Sequence, residues 1–226
     1  MQIKHIFFDL DHTLWDFETN SDKAFEKAFE NLQFKVDLAK FLNYYRPINQ
    51  KYWKLYREEK VTKAQLRHGR LRDTFDFLKI VVTDEMIEAM AVEYIRVLPE
   101  NNQLFEGAIE ILEHLSLKYQ MHIITNGFQE VQHLKLEKSG ISRYFKHIIT
   151  SESVGFQKPH PDIFHHAMKV ANTSPSDSVM IGDSWEADIM GAHQCGMQVI
   201  FCNYHQETVG ENILSITHLL QLKHYL

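Results

Sequence analysis

Cysteine is nearly absent from this chain, with only Cys195 and Cys202 among 226 residues. That excludes a disulfide framework and fits a reducing compartment. With His193 and His205 the two spell His-x-Cys…Cys-x-x-His, but Cys202 ends the apolar run Met197–Phe201, where a free thiol packs as a small hydrophobe, and no zinc is assigned to them. Long hydrophobic runs are missing too. None approaches the length of a membrane span, and Asp9 and Asp11 break the apolar opening before a signal-peptide core could form, so a soluble, cytoplasmic protein is expected, without a membrane partner. An excess of positive charge is also lacking: 24 Lys and Arg stand against 30 Asp and Glu, a formal net charge of -6. This argues against a nucleic-acid polymer as partner and leaves room for a small anion held by local charge. There are no internal repeats and no low-complexity tract.

What is present is ordinary for a globular domain, 44% hydrophobic and 24% charged residues. After the opening run Ile3–Phe8, four short apolar runs read as strands: Met121–Ile124, His147–Thr150, Val179–Ile181 and Met197–Phe201. Amphipathic stretches of helical length alternate with them, Gly107–Lys118, Gln129–Ser139, Pro161–Ala171 and Glu186–Cys195, and Gly140 and Gly196 stand where helices should stop. Strand alternating with helix predicts an α/β fold with a doubly wound, Rossmann-like parallel sheet. Ligands of such sheets lie beyond the carboxyl ends of the strands, where Asp9, Thr125 and Asp183 fall.

The stretch from Asp16 to Arg96 has a different pattern. Ser21–Leu32, Leu38–Glu59, Lys63–Leu78 and Asp84–Val97 are helical in spacing, with no convincing strand. An all-helical cap is therefore expected at residues 17–96, inserted into a catalytic core of residues 1–16 and 97–226, with polar or Pro-bearing hinges at Asp16–Asn20 and Pro99–Asn102.

Chemistry concentrates in four places. Asp9-Leu10-Asp11-His12-Thr13 puts two carboxylates one residue apart at a strand end, sustainable only if a cation or a division of labour compensates their repulsion. Thr125-Asn126-Gly127 offers a hydroxyl and helix-entrance N–H groups to an anion, and is equally a good capping turn. Lys158 precedes Pro159 and Pro161 in a stiffened loop, where an ammonium can neutralise a carboxylate and a phosphoryl group together. Gly182-Asp183 closes a buried-strand pattern with Asp188 one helical turn on, carboxylates suited to Mg²⁺; Glu186 reads as a helix N-terminal charge.

In this order the four motifs resemble the haloacid dehalogenase superfamily over almost the whole chain, with the helical insert matching its first-position cap. Asp9–Phe17, Ile124–Phe128 followed by Gln132 and Leu136, and Ser151–Gly155 before Lys158 are similar to the pyrimidine 5′-nucleotidases of nucleotide house-cleaning, from which His12 is a departure. The resemblance implies a Mg²⁺-dependent phosphatase of nucleoside 5′-monophosphates. Asp9 would be the nucleophile and Asp11 the acid and base, with Thr125 and Lys158 catalytic and gripping the phosphoryl group. Asn126 and Ser184 are possible helpers. Asp9, Asp11 (through its backbone carbonyl), Asp183 and Asp188 would serve the metal. Trp15, Phe17, Trp53, Tyr56 and Arg70 are candidates to touch the substrate, with core packing the competing role for Trp53 and Tyr56. A sugar-phosphate or phosphoglycolate phosphatase is the alternative on the same core, and a non-catalytic phospholigand-binding domain a remote one.

Overall fold

A computed structural model of the chain describes residues 3–208 and 213–226. The chain divides into two compact units, one made of Met1–Phe17 with Asn102–Leu226, the other of Glu18–Asn101.

The first unit is built on a parallel sheet in the order β3-β2-β1-β4-β5-β6. Its strands are β1 (His5–Phe8), β2 (Gln120–Thr125), β3 (Phe145–Thr150), β4 (Ser178–Gly182), β5 (Gln198–Cys202) and β6 (Ser215–Ile216). The central strands β1 and β4 are buried along their whole length, which is why they read as unbroken apolar runs rather than alternating ones. Helices α5 (Ala108–Ser116), α6 (Gln129–Lys138), α7 (Ser151–Val154), α8 (Pro161–Ala171) and α9 (Gly191–Gln194) belong to the same unit. On α8, started by Pro161, the residues Ile163, Phe164, Ala167, Met168 and Ala171 fall on one face and join Phe7, Ile124 and Met180 in a core. The two-residue β6 was not expected, because two residues carry no periodicity.

A continuous helix over Glu186–Cys195 was expected, and the structure has instead a π-helical turn, Trp185–Met190, followed by the short α9. The cause lies in its first residues. Ile189 N–H donates to Ser184 O, five residues back, at 3.2 Å, and Ser184 N–H donates to the Asp188 carboxylate at 3.0 Å. A Cβ at position 182 would meet Asp188 Oδ2 at 2.3 Å, so only glycine lets this carboxylate fold back over the end of β4.

The second unit is all helical: α1 (Phe17–Asn31, its first residue in the other unit), α2 (Leu38–Arg57), α3 (Lys63–Phe77) and α4 (Asp84–Val97). Asp37 caps α2 and Thr62, in a capping box with Gln65, caps α3. Phe25, Phe41, Tyr45, Phe75 and Tyr94 form its aromatic centre, with Phe25 stacked on Tyr94 at 4.3 Å between centroids.

One buried base sits in the sheet away from the strand ends. His122 on β2 stacks between His5 (5.4 Å) and His147 (5.2 Å), and His5 Nδ1 lies 3.1 Å from His122 Nε2. Burial, reinforced by positive charge at His5 and His147, pushes His122 down to about 3 from 6.5. A base depressed in the fold stays neutral there and takes up a proton on unfolding. Its contribution is therefore complete above about pH 6.5 and is lost as pH falls from there towards 3, at up to about 1.4 kcal/mol per pH unit. In urea denaturation His122→Phe should show a shallower acid loss than wild type across that window; parallel slopes would refute this source.

Candidate active site

β1 is the switch point of the sheet: β2 and β3 extend to one side of it, β4, β5 and β6 to the other. Asp9 follows β1, Thr125 ends β2 and Asp183 follows β4, so three neighbouring strands deliver these side chains to one place. The loop after β1 turns sharply, with Leu14 and Trp15 N–H both donating to Leu10 O and His12 in the left-handed region at φ 65°. This conformation disfavours most residues, and His is among those that tolerate it.

Lys158 is the hub. Its side chain is 2% exposed, and Nζ donates to Asp9 Oδ1 (2.5 Å) and Ile124 O (2.7 Å) and lies 2.6 Å from Asp188 Oδ1. Asn126 fixes the lysine through the backbone: its Oδ1 accepts Lys158 N–H at 2.8 Å and its Nδ2 donates to Lys158 O at 2.9 Å. The Asn126 amide is thus occupied in holding Lys158. Thr125 Oγ1 accepts Gly127 N–H at 3.0 Å, which leaves the hydroxyl its own proton to donate. Thr13, fully buried, ties the two strand ends together: Oγ1 lies 3.0 Å from Asp183 Oδ1 and 3.4 Å from Asp9 Oδ2 and accepts Asp183 N–H at 3.1 Å. Ser184 caps the π-helical turn by accepting Ala187 N–H.

Asp11 stands beside this group with partners of its own. Lys135 Nζ donates to Asp11 Oδ1 at 2.7 Å and Gln132 Nε2 to Oδ2 at 3.2 Å, both from α6. In the sequence Gln132 figures only in the family resemblance, without a role, and Lys135 not at all. Lys135 is 1% exposed, and the buried face of α6 is Val131, Gln132, Lys135 and Leu136. The signal was faint: a lysine and a glutamine where the helical spacing calls for apolar residues.

Electrostatically the group is short of positive charge. Burial first, then Asp188 and Asp11, lift Asp9 to about 7 from 3.8 despite the opposing pull of Lys158. Burial, Asp9 and Asp188 hold Asp183 well above the usual carboxylate range. Carboxylate oxygens of Asp9, Asp183 and Asp188 lie within 4.8 Å of one another, and among the described residues one ammonium, Lys158, pairs with two of them, Asp9 and Asp188. Two negative charges are left over, and an oxygen donor set short by two charges is what a hard divalent cation fits.

Two residues expected to touch substrate do not offer a surface to one. Trp15 is fully buried, with the Lys135 ammonium 4.2 Å from its ring centroid. Arg70, 2% exposed, belongs to the interior of the helical unit: Nη1 donates to Asn49 Oδ1 at 2.8 Å and the guanidinium lies over Tyr45 and Tyr94. Trp53 and Tyr56 are half-buried in α2, their rings 5.9 Å apart. Phe17 packs against His12 at 4.8 Å.

Comparison with known proteins gives consistent results. A family model described as haloacid dehalogenase-like hydrolase matches residues 3–196. The chain is 33% identical over 212 residues to the pyrimidine 5′-nucleotidase YjjG of Escherichia coli, covering 92% of this chain and 89% of that protein. It is 30% identical over 239 residues to a glyceraldehyde 3-phosphate phosphatase of Methanothermobacter thermautotrophicus, 99% and 100% covered. The crystal structure of the HAD-hydrolase YfnB of Bacillus subtilis bound to magnesium superposes with a TM-score of 0.90 at 27% identity, over 100% of this chain and 99% of that one.

Proposed function

Since this chain belongs to the haloacid dehalogenase-like hydrolases, we propose that it is a Mg²⁺-dependent cytoplasmic phosphatase that hydrolyses nucleoside 5′-monophosphates, pyrimidine ones such as dUMP, UMP and dTMP. The observation that carries the phosphatase reading is the unequal treatment of two neighbouring carboxylates. Asp9 is held by the Lys158 ammonium, and Asp11 by Lys135 and Gln132. A halide needs no proton to leave, whereas an alkoxide does, and a second carboxyl two residues after the nucleophile supplies one.

In this reading a carboxylate oxygen of Asp9 attacks phosphorus, the bond from phosphorus to the ester oxygen breaks, and Asp11 protonates the departing alkoxide. Asp11 then takes a proton from water as that water attacks the aspartyl-phosphate, releasing phosphate and restoring Asp9. Lys158 and the Thr125 hydroxyl bind phosphoryl oxygens, and Asp188 and Asn126 keep Lys158 aimed at Asp9. Asp9, Asp183 and the Asp11 backbone carbonyl would hold Mg²⁺, with Asp188 supporting them, where a divalent ion offsets repulsion between nucleophile and phosphoryl group. Of the described residues, no helix is long and apolar enough to cross a membrane.

The match to glyceraldehyde 3-phosphate phosphatases supports a second reading, a sugar-phosphate phosphatase on the same core. A panel of phosphomonoesters assayed with Mg²⁺ and with EDTA separates the two. Mg²⁺-dependent phosphate release, fastest from dUMP, UMP or dTMP, is expected. Turnover of sugar phosphates with none from these nucleotides sinks the nucleotide assignment, and undiminished activity in EDTA sinks the metal assignment.

A further inference from the structure

We propose that Lys135 and Gln132 are positioning residues that clamp Asp11 in the orientation from which it serves the leaving group. The inference rests on the acid-base role given to Asp11 above. It starts from a cost. An ammonium 1% exposed loses its hydration, and a fold retains such a group only where a close opposite charge and further polar contact repay the loss. Lys135 finds both in one spot: Asp11 Oδ1 at 2.7 Å, and the faces of Trp15 and Phe17 with centroids 4.2 and 5.3 Å from Nζ. Gln132, one turn earlier on the same face of α6 and 1% exposed, takes the other oxygen.

Both oxygens of a single carboxylate are thereby claimed by one helix, which fixes the plane of the carboxyl group as well as its position. A third residue makes room for the arrangement. A Cβ at Gly127 would stand 1.8 Å from Gln132 Nε2 and 3.1 Å from Asp11 Oδ2, so the glycine after Thr125 and Asn126 is what lets the amide reach Asp11. Trp15 acquires its function here too. Its buried ring forms a wall of the lysine's pocket, and the turn that carries Asp11 is itself bridged to Trp15.

A clamp on an acid predicts a leaving-group effect that a merely structural role does not. Single-turnover release is measured for two esters: p-nitrophenyl phosphate, whose phenolate departs with little need of a proton, and the faster of dUMP and glyceraldehyde 3-phosphate, whose alkoxide needs one. Lys135→Met and Gln132→Met keep the length of the side chain and remove the donor, and either one that melts cooperatively suffices. Alkoxide release should slow by about tenfold or more while nitrophenolate release changes by less than about threefold. Asp11→Asn is run in parallel and should show the same selectivity more strongly. Equal slowing of both esters, or of neither, in the α6 variants while Asp11→Asn remains selective overturns the clamp alone. An unselective Asp11→Asn overturns the acid role and the clamp with it.

Discussion

Asp9→Asn should abolish phosphate release, lowering turnover by on the order of 10⁴-fold, and should at the same time make the metal-free protein melt at a higher temperature than wild type at pH 8. The two halves have one cause. Asp9 is buried to 7% exposure among Asp11, Asp183 and Asp188, and its carboxyl is lifted to about 7 from 3.8, first by that burial. An acid whose pKa is raised in the fold contributes its stability in full below the unfolded value near 3.8 and loses it as pH rises through 7. At pH 8 in EDTA the wild-type carboxylate is ionised in an unfavourable place, and the amide carries no such charge. Near pH 4 both side chains are neutral and the two proteins should melt alike. Loss of activity with lowered stability at pH 8 would mean that Asp9 is a structural carboxylate.

Lys158→Met has the second large effect, with the opposite sign for stability. The substitution removes the ammonium that touches both Asp9 and Asp188 and leaves two buried carboxylates without it. Removing one partner from a buried ion pair typically costs about 3–5 kcal/mol, and losing a preorganised phosphoryl donor costs roughly 10²–10³-fold in turnover. The stability loss depends on pH. Asp9, whose carboxyl is lifted to about 7, escapes the repulsion by protonation as pH falls below that value, so the variant should sit nearer to wild type at about pH 5 than at pH 8. Chemical denaturation at the two pH values reads this directly. A uniform loss at both would place the effect in packing rather than in charge.

The α/β core was legible because its strands are apolar runs bounded by Gly, Pro and polar turns, and because three of the runs lead into Asp9, Thr125 and Asp183. The structure gathers Asp9, Thr125 and Asp183 because adjacent parallel strands end on the same side, and adds Lys158 from the loop before α8 and Asp188 from the π-helical turn. The π-helical turn after Asp183 was not legible, since it depends on the Asp188 carboxylate accepting Ser184 N–H and the Ser184 hydroxyl accepting Ala187 N–H, a tertiary detail with no periodic trace. Lys135 escaped notice for a related reason. A lysine on an amphipathic helix reads as solvated, and only the three-dimensional neighbourhood of Asp11 and Trp15 turns it inward. Arg70 and Trp15 show the opposite case. Both are residue types that often meet ligands, and here each is consumed by internal partners, Asn49 with Tyr45 and Tyr94 in one case and Lys135 in the other.

The most direct measurement is on the covalent intermediate. Enzyme mixed with substrate and Mg²⁺, quenched in acid within a single turnover, digested and analysed by mass spectrometry should carry one phosphoryl group on the peptide containing Asp9, and Asp9→Asn should carry none. Phosphate release without any phosphorylated peptide, or a phosphoryl group on a different residue, would contradict Asp9 as the nucleophile.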